Sequence, residues 1–164
     1  MVIKFVRDQY PQAKFQRIYD AATDGWGAID FHRRCNKKGW TLTIVETTKN
    51  FIFGGFTTAE WVSSTFAKPC SQSFLFSVNE GRKYPNTLGG RDAIRCNFDH
   101  CATFGYGGNE LEIDSESNDV GENFCNANGK TFKLPASGEN GGPSMNGGEK
   151  KFVVKHFEVF SVSV

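Results

Sequence analysis

The chain has 164 residues, with 19 basic and 18 acidic side chains and a formal net charge of +1. That length fits one domain rather than two. The near-neutral balance argues against a dedicated nucleic-acid or membrane-surface protein, whose binding energy comes from a basic excess. Sixteen phenylalanines and 18 glycines against two methionines point to a β-rich core with tight turns.

In chain order, the first segment that reads as ordered is Phe15–Asp20, a strand in which Phe15 and Tyr19 share one parity and Ile18 breaks it. A turn follows at Asp24-Gly25. Ala28–Cys35 is predicted as a helix, because Ala28, Phe31, His32 and Cys35 fall at i, i+3, i+4 and i+7. Asn36 to Gly39 supply its stop signals, with Lys37 and Lys38 near the negative end of the helix dipole. Trp40–Thr47 alternates as a strand and is expected to pair as a hairpin with Phe51–Phe56. Ala59–Phe66 reads as a short helix or an irregular loop.

Ser73–Val78 has buried-strand length and composition, and Ala93–Phe98 and Glu110–Ile113 continue the β pattern. Asp114–Asn123 reads as a polar loop. Asn128-Gly129 favours a tight turn, so Phe124-Cys125 and Thr131-Phe132 are expected to flank a hairpin. Pro135–Glu149 carries five glycines and is expected to be a flexible surface loop within the domain. Lys151–Val164 is a long strand whose parity slips near His156-Phe157, the mark of a bulge.

The opening residues are too short and too charged for a secretory signal, and no apolar run approaches the roughly 20 residues that span a bilayer. No Asn-x-Ser/Thr sequon occurs. The five cysteines, Cys35, Cys70, Cys96, Cys101 and Cys125, are odd in number and show no paired spacing. A domain of this size does not need disulfides. The expectation is a reducing, cytoplasmic setting without membrane insertion.

Taken together, these segments resemble the TLDc domain family. Ile18-Tyr19, Asp24-Gly25, Phe31-His32 and Cys35 follow the family's opening in order. Lys38–Ile44 is similar to its characteristic strand, and Ile52–Thr57 with Trp61 to its most recognisable stretch. Phe74–Ser77, Ala93-Ile94, Thr103–Gly105 with Gly107-Gly108, and Phe157–Phe160 complete a series spanning roughly residues 15 to 160. Trp40 stands where the family commonly has proline, the segment after Gly129 diverges, the glycine-rich loop is peculiar to this chain, and an N-terminal helix is expected to be short or missing. The resemblance implies a mostly β (α+β) fold, an antiparallel β-sandwich with a few short flanking helices, covering residues 1–164. It also implies a non-catalytic interaction module in oxidative-stress resistance or regulation of the vacuolar-type proton ATPase, with subunits of that pump as protein partners. A monomer is expected, with no nucleic acid bound.

The residues themselves leave one alternative, a redox-active or thiol-sensing protein. A peroxide-reactive thiolate needs a helix N-terminus or a nearby cation. Cys35 has Arg34, Lys37 and Lys38 as neighbours but lies at the C-terminal end of its helix, on the apolar stripe. Cys101, beside His100, is the better candidate. His32, Cys35, His100 and Cys101 could supply four metal ligands, yet the usual Cys-x-x-Cys pairs are absent, and no metal or cofactor is expected. For His32 the plain reading is a core-edge histidine bonded to backbone.

Two nucleotide motifs begin and fail. Gly129-Lys130-Thr131 ends like a phosphate-binding loop, but Phe124 stands where its first glycine belongs. Gly105 and Gly107 open a dinucleotide fingerprint, but Glu110 stands where its third glycine belongs. Among the carboxylates Glu110, Glu112 and Glu158, the last is an acid/base candidate if its strand parity is inward, with a structural ion pair as the stronger reading. No catalytic residue is assigned. The basic run Arg33, Arg34, Lys37 and Lys38 is a candidate partner contact, set against a solvated helix end.

Overall fold

A computed structural model describes residues 1–105, 110–119 and 122–164. The first half runs α1 (Val2–Arg7), β1 (Lys14–Asp20), α2 (Ala21–Asp24), α3 (Ala28–Cys35), β2 (Trp40–Thr47), β3 (Ile52–Thr57), β4 (Ala67–Lys68), β5 (Phe74–Ser77) and β6 (Arg82–Pro85). The second half runs β7 (Ile94–Arg95), β8 (His100–Phe104), β9 (Leu111–Asp114), β10 (Phe124–Cys125), β11 (Ala136–Ser137), β12 (Gly142–Pro143), a 3-10 turn (Ser144–Asn146) and β13 (Val154–Ser163). A six-stranded antiparallel sheet has the order β1-β13-β2-β3-β5-β6, and a five-stranded one the order β10-β9-β8-β7-β4. The fold is mostly β and sandwich-like, as expected.

The inner face of the larger sheet presents Tyr19, Val45, Phe53, Leu75, Phe157 and Val159 to a core shared with Phe104, Leu111 and Ile113 of the smaller sheet. Its outer face is also apolar. Phe56, Phe74, Phe76, Leu42 and Val162 pack there under Phe5 and Val6 of α1. Both faces depend on the Gly54-Gly55 pair of β3, which lies opposite Ile44 and Thr43 of β2. A Cβ on Gly55 would stand 2.5 Å from the Phe104 ring, and one on Gly54 would run into the Thr43 carbonyl and stand 3.0 Å from the Phe76 ring. The missing side chains are the space into which an aromatic ring packs on each side of the sheet.

The predicted helix α3 and hairpin β2–β3 form as expected. Helix α3 starts where the Gly27 N–H donates to Asp30 Oδ2 at 3.2 Å and the Ala28 N–H to Ser115 Oγ at 3.0 Å, and it stops as Lys37 turns to φ 57°. Where Ile18 breaks parity, the β1–β13 register shifts between Arg17 and Tyr19. In β13 the slip lies between Val154 and His156.

Several expectations are corrected. An ordered element precedes Phe15: α1, whose Val2, Phe5 and Val6 sit at i, i+3 and i+4 and pack on the second core. Of the two readings of Ala59–Phe66, the irregular loop is the one that forms; it carries the buried Trp61, whose indole N–H donates to Thr41 Oγ1 at 2.9 Å. Ala93–Phe98 keeps strand geometry only at Ile94–Arg95. Phe124 and Cys125 pair with Glu112 and Leu111 of β9, not with Thr131 and Phe132. The N–H groups of Thr131 and Phe132 donate instead to the Glu110 carboxyl at 2.6 and 3.2 Å, which removes the donors a hairpin would use. Residues 135–149 hold the hairpin β11–β12 and a 3-10 turn with Met145 and Asn146 buried. Asn146 Nδ2 donates to the carbonyls of Glu149 and Lys151 at 2.8 and 3.3 Å.

Gly55→Ala is expected to destabilise the protein by about 1–3 kcal/mol, the usual cost of overpacking, read as a lower urea midpoint at unchanged slope.

Candidate functional site

Helix α3 brings most of the predicted site residues to one corner. It packs against β8, so its apolar stripe places Cys35 in the same core as Cys101. Both thiols are fully buried. Burial pushes each far above its ordinary range; a charged Cys101 would oppose ionisation of Cys35 further, and Asp114, Glu116 and Asp30 oppose that of Cys101. The basic neighbours of Cys35 do not offset this, though Lys38 acts in that direction. Burial likewise raises Cys96, and raises Cys125 to about 12 against a hydrogen bond from Asn146. Cys70 is the exception, and nothing in its sequence context marked it. Burial pushes it up, but hydrogen bonds from the Thr58 hydroxyl and N–H, with Thr57 and Ala59, outweigh that and bring it below its ordinary value. Its Sγ lies 3.1 Å from Thr58 Oγ1 and 3.4 Å from Thr58 N.

His32 is the core-edge histidine its stripe implies. Its Nε2 lies 2.8 Å from the Asn97 carbonyl and 2.9 Å from that of His100, so this nitrogen carries the proton and bridges both. Nδ1 lies 2.8 Å from Asn36 Oδ1, and Asn36 Nδ2 donates to Ser63 Oγ at 2.9 Å. One helical turn thus pins two loops, residues 63–66 and 96–100. These loops also bond each other, Cys96 N–H to the Phe66 carbonyl at 3.0 Å and Phe98 N–H to that of Ser64 at 3.3 Å. Each carries a phenylalanine at its surface: Phe66 and Phe98 are both 54% exposed. Neither was singled out in the sequence; the signal available was an aromatic outside any periodic face.

The side chain of His100 turns away from Cys101, which faces the core. Its Nδ1 lies 2.9 Å from Asp114 Oδ1 and 3.8 Å from Glu112 Oε1, close contacts without the alignment of a hydrogen bond. Burial pushes the Glu112 carboxyl up, His100 draws it down, Asp114 adds to the rise and Arg95 opposes it. Glu158 lies on the outer face of the larger sheet, half-exposed, and pairs with Arg17 at 2.7 Å. Glu158 is thus a member of a surface ion pair, and its partner Arg17 lines one surface pocket with Asp24 and Arg34.

The basic run divides. Arg33 pairs with Asp30 at 2.9 Å and Arg34 with Asp24 at 2.6 Å. The Asp20 N–H, and then Arg34, hold the Asp24 carboxyl below the usual range against burial. Lys37 and Lys38 stand exposed on the turn beyond. Among the described residues no group of three or more His, Cys, Asp or Glu is placed to hold a metal ion, and no helix is long and apolar enough to cross a membrane. Gly107 of the broken dinucleotide fingerprint, and Gly107-Gly108 of the family series, lie outside the described residues.

This geometry defines a β-sandwich with a helix-pinned pair of surface loops. The family model described as TLDc domain matches residues 1–163, and the chain belongs to that family. It is a domain of the oxidation-resistance type. A comparison with curated proteins returned no match.

Alkylation of the native protein with iodoacetamide, mapped by mass spectrometry, is expected to modify Cys70 first and to leave Cys35 and Cys101 untouched until denaturant is added. Modification of Cys35 or Cys101 in the folded protein would contradict the burial described here.

Proposed function

We propose that this TLDc domain is a non-catalytic interaction module, acting in oxidative-stress resistance through association with the vacuolar-type proton ATPase in the cytoplasm. The observation that carries the reading is the paired exposure of Phe66 and Phe98 on loops that are hydrogen-bonded to each other and pinned by His32. Large aromatics held at a rigid surface supply contact area at low entropic cost, which is how a few residues come to dominate a protein interface. Lys37 and Lys38, at the end of the same helix, add charge that can steer an acidic partner. Thiol chemistry at Cys35 or Cys101 has burial and raised pKa against it, and the interaction reading is preferred.

The test uses the purified cytosolic sector of the proton ATPase and the full chain. The double substitution Phe66→Ser with Phe98→Ser is expected to weaken capture at least tenfold, the loss of about 1.4 kcal/mol or more at an aromatic anchor, with an unchanged melting temperature. Equal capture by the folded variant would exclude this surface. No capture of the wild-type chain would exclude this partner.

A further inference from the structure

Glu110 is a buried carboxyl that the interaction surface leaves unused. It lies at the start of β9 with no exposure to solvent. Its Oε1 accepts the N–H groups of Thr131 and Phe132 at 2.6 and 3.2 Å. Its Oε2, buried as well, has no aligned hydrogen-bond partner among the described residues. The carboxyl fits because two glycines make room: a Cβ on Gly105 would collide with Oε2, and one on Gly129 with Oε1. Gly105 has φ 87°, a backbone that favours glycine. The segment so held matters to the fold. Thr87 donates from N at 2.8 Å and from Oγ1 at 3.2 Å to the Thr131 carbonyl, and Phe132 is fully buried against Phe104.

We propose that Glu110 is a proton-operated latch, which as the neutral acid locks the 129–132 segment to the start of β9 and as the carboxylate releases it. Two donors on Oε1 suit either form. Oε2 decides, because a carboxylate spreads its charge onto an oxygen with no aligned donor among the described residues, inside an apolar core. Release involves loss of the carboxylic proton to solvent, with the negative charge left on the side chain and hydrated as the segment opens. Asp92, in the turn before β7, acts on Glu110 with charge of the same sign; Lys130, on the latched segment, is exposed. Burial first, and Asp92 with it, raise the Glu110 pKa above its ordinary 4.5, against the hydrogen bonds it accepts.

The sign of the effect follows from linkage. The closed segment binds the proton more tightly than the open one, so closure is fully favoured below about pH 4.5. It weakens as pH rises, up to tenfold per unit, and levels off above the Glu110 pKa of the closed form. Hydrogen exchange at the amides of Thr131 and Phe132, corrected for intrinsic rates, measures it in the full chain. Wild-type protection is expected to fall in that window, Glu110→Gln to show no such fall, and Asp92→Asn to level off at lower pH. A carbon-13 titration of the wild-type Glu110 carboxyl gives an independent reading that does not depend on a variant folding. Protection that does not change with pH in the wild type, the same fall in Glu110→Gln, or a Glu110 midpoint at or below 4.5 would each overturn the latch.

Discussion

The larger sheet is apolar on both faces, and the rest of the molecule is arranged around that fact. A sheet of this kind must be covered twice. The inner face takes the smaller sheet; the outer face takes α1. Gly54 and Gly55 make both coverings close, since Phe76 lies against one and Phe104 against the other. From Phe104 a line of aromatic contacts runs through the shared core. Trp61 meets Phe104 at 5.5 Å, Phe31 meets Trp61 at 5.6 Å, and Tyr19 meets both Phe31 and Phe157, at 5.8 and 5.0 Å. Edge-to-face pairs of this kind contribute about 0.5–1.5 kcal/mol each beyond the area they bury. Phe31 belongs to α3, so the helix is docked by the same aromatic line that joins the sheets.

That docking explains the distribution of chemistry at the α3 corner. A stripe that buries Phe31 also buries Cys35 four residues on, and seats His32 at the rim where polar partners remain within reach. The thiols are thereby made unreactive and the imidazole is committed to two backbone carbonyls. Those carbonyls belong to Asn97 in the loop and His100 at the first position of β8, so the ring ties the loop-to-strand junction to the helix. The consequence is a surface stiffer than two loops would be alone. Exposed Phe66 and Phe98 stay in place because the Phe66 carbonyl accepts from Cys96 N–H, the Phe98 N–H donates to the Ser64 carbonyl, and Asn97 and His100 tie the second loop to the helix.

Much of this was legible from periodicity. The four-residue stripe of α3 marked its buried face without error, because a helix reports its burial at a fixed spacing. The parity breaks at Ile18 and near His156 appeared in the structure as register shifts, because alternation in a strand is lost wherever an extra residue is inserted. Short elements were less legible. Helix α1 has three apolar residues at helical spacing, too few to stand out before the face they cover was known. The corner of Phe66 and Phe98 depends on hydrogen bonds between residues about 30 positions apart in the chain, which no local pattern carries. Cys70 illustrates the same limit: the groups that lower its pKa come from Thr57, Thr58 and Ala59, distant in sequence and reached only through the fold.

The broken nucleotide motifs have a physical explanation in the same terms. Gly105 opened one and Gly129 closed the other, and Glu110 stood where a glycine was required. All three meet at one point. The glycines are there because a carboxyl group occupies the space their side chains would need, and Glu110 is there because Thr131 and Phe132 present two buried N–H groups. An apolar residue of similar size would leave both donors without an acceptor, at about 1–3 kcal/mol each. A glycine at 110 would do the same and leave a void between Gly105 and Gly129 as well. The acid and its two glycines are therefore one structural unit. A pattern search that reads glycines for phosphate binding meets half of it and cannot see that the space they open is already filled from within the chain.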